Sequence, residues 1–498
     1  MKLISLSFII FASLVWSLLL FNLWSWDYGF YYNTAVNLSD TYRLYSEVFE
    51  NKGPTYHFFI NIISKVIGIG IIQSYWTLSI TVFIFLFSIY FISIKKKNNN
   101  IFLILFLCLA LFHHQNINVS IQLFNSALQI FSFYYLMEFI KKSNNKLYLI
   151  SIIFFSFAVL TRIDCAIYSL IYVYVILVKY KISFHTIKLS VASIIIFSAI
   201  FTFFCFYFNF NIIDFFNHNI NFNKGFSNAF QREPFIKIFN SPAHIYVILS
   251  TGIGFIFIDL LNKVFNKRIS KIEDFIKKDN YDLSTSLLIV CLGLLVWLWS
   301  GSDKYYHVFI IYTPLIFFIT YFFNEYKPSL IKLIFFYLVT IFFTIINIYP
   351  EQKNSIVNNC IFNIQPCGPI KDISKTINDI KNHTNPIIIS DTGWIYLISN
   401  TKPKYAIGNS TPYFKQITRS GKIIESFDTE YLKKINEDIL SQEIGYTFWI
   451  EKWLVELNSD HKYQLPSEQL LKILSVSEVI EDQGSYMKMQ IVKKNVSE

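Results

Sequence analysis

Charge is what this sequence has least of. Only 15% of its 498 residues are Asp, Glu, Lys or Arg, where a soluble chain carries about 25%. So little charge cannot dress a water-facing surface, which excludes a soluble cytosolic enzyme. Cysteine is scarce too. There are six, with no Cys-x-x-Cys pair, so a zinc ribbon or a thioredoxin-like site lacks its ligands. The same counts exclude a disulfide-dense scaffold, a collagen-like repeat and intrinsic disorder. No phosphate-cradling P-loop, no Gly-x-Gly-x-x-Gly and no Ser-His-Asp arrangement is legible. Gly252-Ile253-Gly254 stands alone within an apolar run, where small residues serve helix packing.

Apolar residues are abundant instead. They make up 54% of the chain, with 53 Phe, 32 Tyr and 9 Trp. Apolar stretches fall near 3–24, 72–94, 101–114, 119–140, 147–161, 163–178, 186–208, 243–261, 284–300, 307–323 and 330–348. A span needs about 20 such residues, fewer where a helix is broken or re-entrant. The expectation is a mainly α, polytopic membrane protein with about eleven transmembrane or re-entrant helices. The first stretch has one Lys, a long apolar core and no small-x-small site before Trp24, so it reads as a span rather than a cleaved signal.

The net charge of +10 is unevenly spread. Residues 1–349 hold 26 Lys and Arg against 15 Asp and Glu; residues 350–498 hold 17 against 18. A basic total often points to nucleic acid, but this excess belongs to the membrane part, and no nucleic-acid partner is expected. The loops alternate. Lys95–Lys97, then Lys141, Lys142 and Lys146, then Lys179, Lys181 and Lys188, then the basic loop 262–283, then Lys327 and Lys332 form one set. The other set is sparse: Arg43, Lys52, Lys65, Arg162, Lys224, Arg232, Lys237 and Lys304. The positive-inside rule places the first set in the cytoplasm. The expected location is the cytoplasmic (inner) membrane, multi-pass, with the N-terminus inside and the C-terminal part outside. The apolar run 147–178 is broken only at Thr161-Arg162-Ile163-Asp164. Two short spans meeting at Arg162 keep the alternation; one continuous helix would invert it.

From about Tyr349 the composition changes, with more charge and turn residues and no long apolar run. This divides the chain into a transmembrane domain, 1–349, and an extracytoplasmic domain, 350–498, of small α/β or α+β type. Residues 386–390 and 394–398 read as short strands, and 429–444 and 467–475 as helices. Cys108, Cys165, Cys205 and Cys291 lie in apolar stretches, where cysteine acts as a small hydrophobe. Cys360 and Cys367 would lie outside, where a disulfide and two free thiols are both open.

The first outer loop concentrates polar chemistry. It reads Trp26-Asp27-Tyr28-Gly29-Phe30-Tyr31-Tyr32-Asn33-Thr34-Ala35 and continues through Tyr45-Ser46-Glu47 to Lys52-Gly53-Pro54. Asp27 stands at the exit of the first span among interfacial aromatics. A partly apolar setting tends to raise a carboxylate's pKa, which suits a general base toward a hydroxyl; a solvated loop carboxylate is the plainer reading.

This pattern resembles the GT-C superfamily of membrane glycosyltransferases, protein-mannosyltransferase-like and ArnT-like, which use polyprenyl-phosphate sugars. An acidic residue after the first span, a Tyr four or five positions on, an Ala, and a Tyr-acid-x-x-x-x-Lys-x-Pro stretch match Asp27, Tyr31 or Tyr32, Ala35, Tyr45, Glu47, Lys52 and Pro54. Ala158-Val159-Leu160-Thr161-Arg162 and Ser300-Gly301-Ser302-Asp303-Lys304-Tyr305-Tyr306-His307 with Pro314 are similar to two further segments. The resemblance implies a catalytic base at Asp27, donor-phosphate binding by Lys52, Arg162, Lys304 and His307, and supporting roles for Glu47, Tyr31 and Tyr305. It implies a polyprenyl-phosphate sugar donor in the lipid bilayer, a glycan or lipid acceptor, and inversion at C1. Residues 113–125 carry no acid, so a divalent metal stays open and no cofactor is fixed. Gln122 and Asn125 could meet sugar hydroxyls. His57, His113 and His114 are further polar candidates near the outer loops. A transporter or flippase, or a non-catalytic binder of lipid-linked glycans, would share the architecture.

Overall fold

A computed structural model describes residues 6–14, 17, 26–37, 43–45, 52–96, 119–221, 244–269, 280–300, 309–323, 325–326, 374–383, 386–389, 395, 414–417, 423–424, 430–456, 464–484 and 486–493. The chain is mostly helical, with a small sheet system near its C-terminus. It divides into two compact units. One draws on Met1–Leu19, Leu78–Phe203 and Arg232–Val357, the other on Leu20–Thr77, Phe204–Gln231 and Asn358–Glu498.

The described helices before the C-terminal region are α1 (Trp26–Asn37), α2 (Pro54–Ile67), α3 (Ile71–Lys95), α4 (Val119–Lys142), α5 (Asn145–Val159), α6 (Ser169–Tyr180), α7 (Phe184–Tyr207), α8 (His244–Arg268), α9 (Tyr281–Ser300) and α10 (Phe309–Phe322). Three segments are long and apolar enough to cross a membrane: Ile72–Lys95, Ile163–Tyr180 and Phe184–Tyr207. The most apolar window of Phe184–Tyr207 is only 11% buried within the chain, and Ile187, Val191, Ile194 and Ile195 are exposed. In water this surface would drive aggregation; in lipid it is matched to its solvent. The protein is therefore a membrane protein.

The expected eleven spans are not found among the described residues. Asn145–Val159, Tyr281–Val296 and Tyr312–Phe322 are apolar but shorter. α4 is 24 residues long yet holds buried Gln122, Asn125, Ser126, Gln129, Ser132 and Glu138, a polar content that an apolar-run count overlooks.

The break at Arg162 does occur. α5 stops at Val159, Arg162 is extended, and a 3-10 helix (Ile163–Tyr168) leads into α6. The chain reverses there. Ser151 of α5 bonds the Tyr172 hydroxyl of α6 at 2.7 Å, and Tyr172 also meets Ser132 of α4. Ser151 Oγ donates to the Ser132 carbonyl at 2.6 Å. Small hydroxyl residues thus join three helices where lipid gives no hydrophobic drive for association.

Within this unit the basic helix ends gather together. Lys179 Nζ donates to the Phe139 and Ile140 carbonyls at 2.6 and 2.8 Å, capping α4. Glu138 pairs with Lys96 at 3.1 Å and Lys142 at 2.7 Å. Asp282 pairs with Lys141 at 3.2 Å and Arg268 at 3.0 Å, and Arg268 reaches Glu325 at 2.6 Å. These bonds tie the C-terminal ends of α4 and α8, the start of α9 and the residues following α3 and α10.

In the second unit α1 packs on α2. Asn61 Nδ2 donates to the Ala35 carbonyl at 2.8 Å, and its Oδ1 accepts from the Tyr207 hydroxyl at 2.7 Å. Pro54 opens α2 at a position needing no amide donor. Gly68, at φ +89°, ends it in the left-handed region that suits glycine.

The C-terminal region holds α11 (Ser374–Ile380), α12 (Glu430–Ser441) and α13 (Glu468–Val476). Its strands are β1 (Ile388–Ile389), β2 (Phe414–Ile417), β3 (Ile423–Ile424), β4 (Thr447–Glu451), β5 (Gln464–Pro466), β6 (Ser477–Asp482) and β7 (Tyr486–Ile491). One sheet runs β1-β4-β7-β6, with β1 parallel to β4 and the other pairs antiparallel; a second runs β3-β2-β5. Ile377, Ile380, Ile388, Ile395, Trp449 and Tyr486 form its core. The strand expected at 394–398 is corrected at its one described residue, Ile395, which is helical and buried. Five apolar residues do not reveal their period.

Candidate functional site

The polar residues of α4 recur at Gln122, Asn125 and Gln129, spaced to share one face of the helix. That face meets the break after α5. Together with Arg162, Asp164, Cys165 and Tyr168 they line a narrow cavity. It lies toward the N-terminal end of α4, whereas the basic cluster holds its C-terminal end. Gln129 and Lys142 are separated by roughly 20 Å along the helix at 1.5 Å per residue.

Arg162 is the cavity's cation. Its side chain is 7% exposed, against 29% for Asp164. The carboxylate takes Nε at 3.1 Å and Nη2 at 2.5 Å, a two-point grip that fixes the plane of the guanidinium. Behind this pair sits the Cys165 sulfur, which accepts Asn125 Nδ2 at 3.1 Å and Gln129 Nε2 at 3.2 Å. Cys165 is thus a hydrogen-bonding centre, which corrects its reading as a plain small hydrophobe. Ser126 shares a 2.7 Å hydrogen bond with Thr313 of α10. The cavity therefore offers a carboxylate, a guanidinium and three amides within an otherwise apolar bundle. It could orient an anionic or hydroxyl-bearing group, with little freedom for its own side chains to rearrange.

The expected site residues fall into separate places. Arg162, Gln122 and Asn125 are brought together in this cavity. Tyr31 is buried in the other unit, edge-on to Tyr56 and His57 with centroids 6.0 and 5.9 Å apart. The Lys52 carbonyl there accepts the Tyr45 hydroxyl at 2.7 Å, and Tyr45 packs between Phe210 and Phe215 at 4.9 and 5.5 Å. Asp27 lies in the first turn of α1, but its side chain is outside the described residues. Glu47, Lys304, Tyr305, His307, His113, His114, Cys360 and Cys367 are also outside them. Among the described residues no group of three or more His, Cys, Asp or Glu is placed to hold a metal ion.

Gln129, Asp164 and Cys165 are the residues that sequence reasoning missed as site residues. For Gln129 the signal was present in the spacing from Gln122 and Asn125. Asp164 supplies the carboxylate that 113–125 lacks, and its proximity to Arg162 marks it. Cys165 had no signal, because its partners lie 36 and 40 positions upstream.

Compared with protein-family models and with curated proteins, the sequence matches none.

Proposed function

We propose that this protein is an integral membrane glycosyltransferase of GT-C type. It moves one sugar from a polyprenyl-phosphate-linked donor to an acceptor outside the cytoplasmic membrane, a surface polysaccharide, lipopolysaccharide or lipid-linked glycan. The carrying observation is a buried Arg162, gripped by Asp164, in a polar cavity away from the basic helix ends. A buried guanidinium held in one plane suits a phosphate head group whose lipid stays in the bilayer. The basic ends belong in the cytoplasm by the positive-inside rule, which puts the cavity toward the outer face and the C-terminal region outside.

In this reading Asp27 removes the proton of the acceptor hydroxyl as its oxygen attacks C1 of the donor sugar. The new C1–O bond forms on the face opposite the breaking C1–O–phosphate bond, so the configuration inverts. The phosphate leaves with the electron pair and gains charge, which Arg162, Lys52, Lys304 and His307 are there to stabilise. Tyr31, Tyr305 and Glu47 shape the surroundings, and a divalent metal would add to the phosphate clamp. Transport or simple binding of the same lipids is the competing use. Glu138 and Asp259 give it little support, since they pair with Lys96, Lys142 and Lys263 at helix ends rather than marking a path.

Purified wild type and Asp27→Asn, each reconstituted with host lipid extract and acceptor, test this. Mass spectrometry should show one polyprenyl-phosphate sugar consumed by wild type alone, while both proteins retain it on binding. Equal donor levels in both, with the extract proven competent, would overturn the enzyme in favour of a binder or transporter.

A further inference from the structure

Asn125 and Gln129 stand one turn apart on α4 and are 3% and 4% exposed. Each donates its amide N–H to Cys165 Sγ. Their carbonyl oxygens, Oδ1 and Oε1, are buried with no hydrogen-bond partner among the described residues. Turning either amide over exchanges its oxygen and nitrogen but leaves the same count, one polar atom on the sulfur and the other unmet. Two unmet polar atoms side by side destabilise a packed bundle unless something completes them.

The space beside them is small. It has room for about one water molecule. A phosphate does not fit there, nor does a whole sugar ring. A single hydroxyl fits both the volume and the bonding. It donates and accepts, so it completes these amides in either orientation. A deoxy position would leave both unmet.

We infer that this cavity holds one hydroxyl of the donor's sugar, and that Asn125 and Gln129 select for it. This rests on the glycosyltransferase reading and assigns the sugar-discriminating residues of its site. Asp164 and Arg162 stand beside the same cavity, so the charged and the hydroxyl-bearing parts of one ligand would meet adjacent groups.

The test compares full-length wild type, Gln129→Met and Asn125→Leu in detergent, each incubated with host lipid extract. Mass spectrometry then gives the ratio of retained polyprenyl-phosphate sugar to sugar-free polyprenyl phosphate. Wild type should favour the sugar-bearing lipid, and either variant should cut that preference by about tenfold, the worth of one or two neutral hydrogen bonds. Both variants should unfold at or above the wild-type midpoint, because each replaces an unmet buried acceptor with an apolar group of similar shape. An unchanged preference in both variants would overturn the inference and leave the enzyme standing. A variant that loses stability would assign the amides to packing and overturn it as well. A wild type that retains neither lipid would remove the glycosyltransferase reading, and the inference with it.

Discussion

The Arg162–Asp164 pair gives a test whose two halves are unequal. Removing Asp164 leaves a guanidinium only 7% exposed without the carboxylate that holds two of its nitrogens. Breaking a fully buried pair in this way costs about 3–5 kcal/mol. The 29% exposure of Asp164 means that water already screens part of the attraction, so about 3 kcal/mol is expected for Asp164→Ala. Arg162→Met is milder. It leaves a carboxylate that water reaches, and the Met side chain refills apolar volume, so about 1–2 kcal/mol is expected. The double variant should fall short of the sum, at about 2–3 kcal/mol, because the pair is lost only once. The assay is unfolding in mixed micelles as a denaturing detergent is raised, followed by tryptophan fluorescence and converted to free energy. If Arg162→Met destabilises as much as Asp164→Ala, burial of an isolated cation is not the dominant cost and the reasoning fails.

At the basic end, Asp282→Asn should destabilise by about 2–3 kcal/mol, since this side chain, 5% exposed, neutralises both Lys141 and Arg268; an unfolding midpoint equal to wild type would refute it. Arg268→Lys should not be conservative, because Arg268 spreads its bonds over Tyr326, Asp282 and Glu325 through three nitrogens, and the same unfolding series reads the loss. In the C-terminal sheet, Trp449→Ala should cost about 3–5 kcal/mol by emptying a fully buried core position, seen as faster limited proteolysis within 374–493. Burial alone would raise the Asp379 carboxyl, but hydrogen bonds from Lys488 and Gln483 and the Lys488 charge outweigh it and hold Asp379 below its ordinary value of 3.8. Its contribution to stability is therefore full above about pH 5 and fades as pH falls through 3.8 toward the lowered value. Lys488→Met should flatten that acid limb, measured as the unfolding midpoint between pH 6 and 3.

Some of this was legible in the sequence because polarity interrupts apolar runs at a cost. Thr161-Arg162-Ile163-Asp164 stood out within 147–178, and the chain does break there. The helices at Glu430–Ser441 and Glu468–Val476 were legible from their apolar spacing, and Ser467 caps the second through a 3.1 Å bond from the Leu470 amide. The number of spans was not legible. A count of apolar runs treats α4 and α5 as equals, yet one is long with a polar face and the other has 15 residues. The bonds from Asn125 and Gln129 to Cys165 depend on the reversal at Arg162 and on the register of α4 against it, which no local pattern encodes.

That register is the point on which the site turns. Gln122, Asn125 and Gln129 face the break because their spacing follows the helical period. One residue inserted into α4 before Gln122 would leave the three in mutual register but would shift their height along the bundle by about 1.5 Å and their face by about 100°. The amides would then meet Phe131 and Tyr135's neighbours on α5 or lipid instead of Cys165, while Ser132 would leave Ser151 and Tyr172. The hydroxyl knot and the amide face sit on one rigid helix, so the packing of the bundle and the geometry of the cavity are a single constraint. A polar face that packing alone required would be complete within the bundle, as Ser132 and Ser151 are. Asn125 and Gln129 are not, and that incompleteness is what separates a candidate site from an interhelical bond.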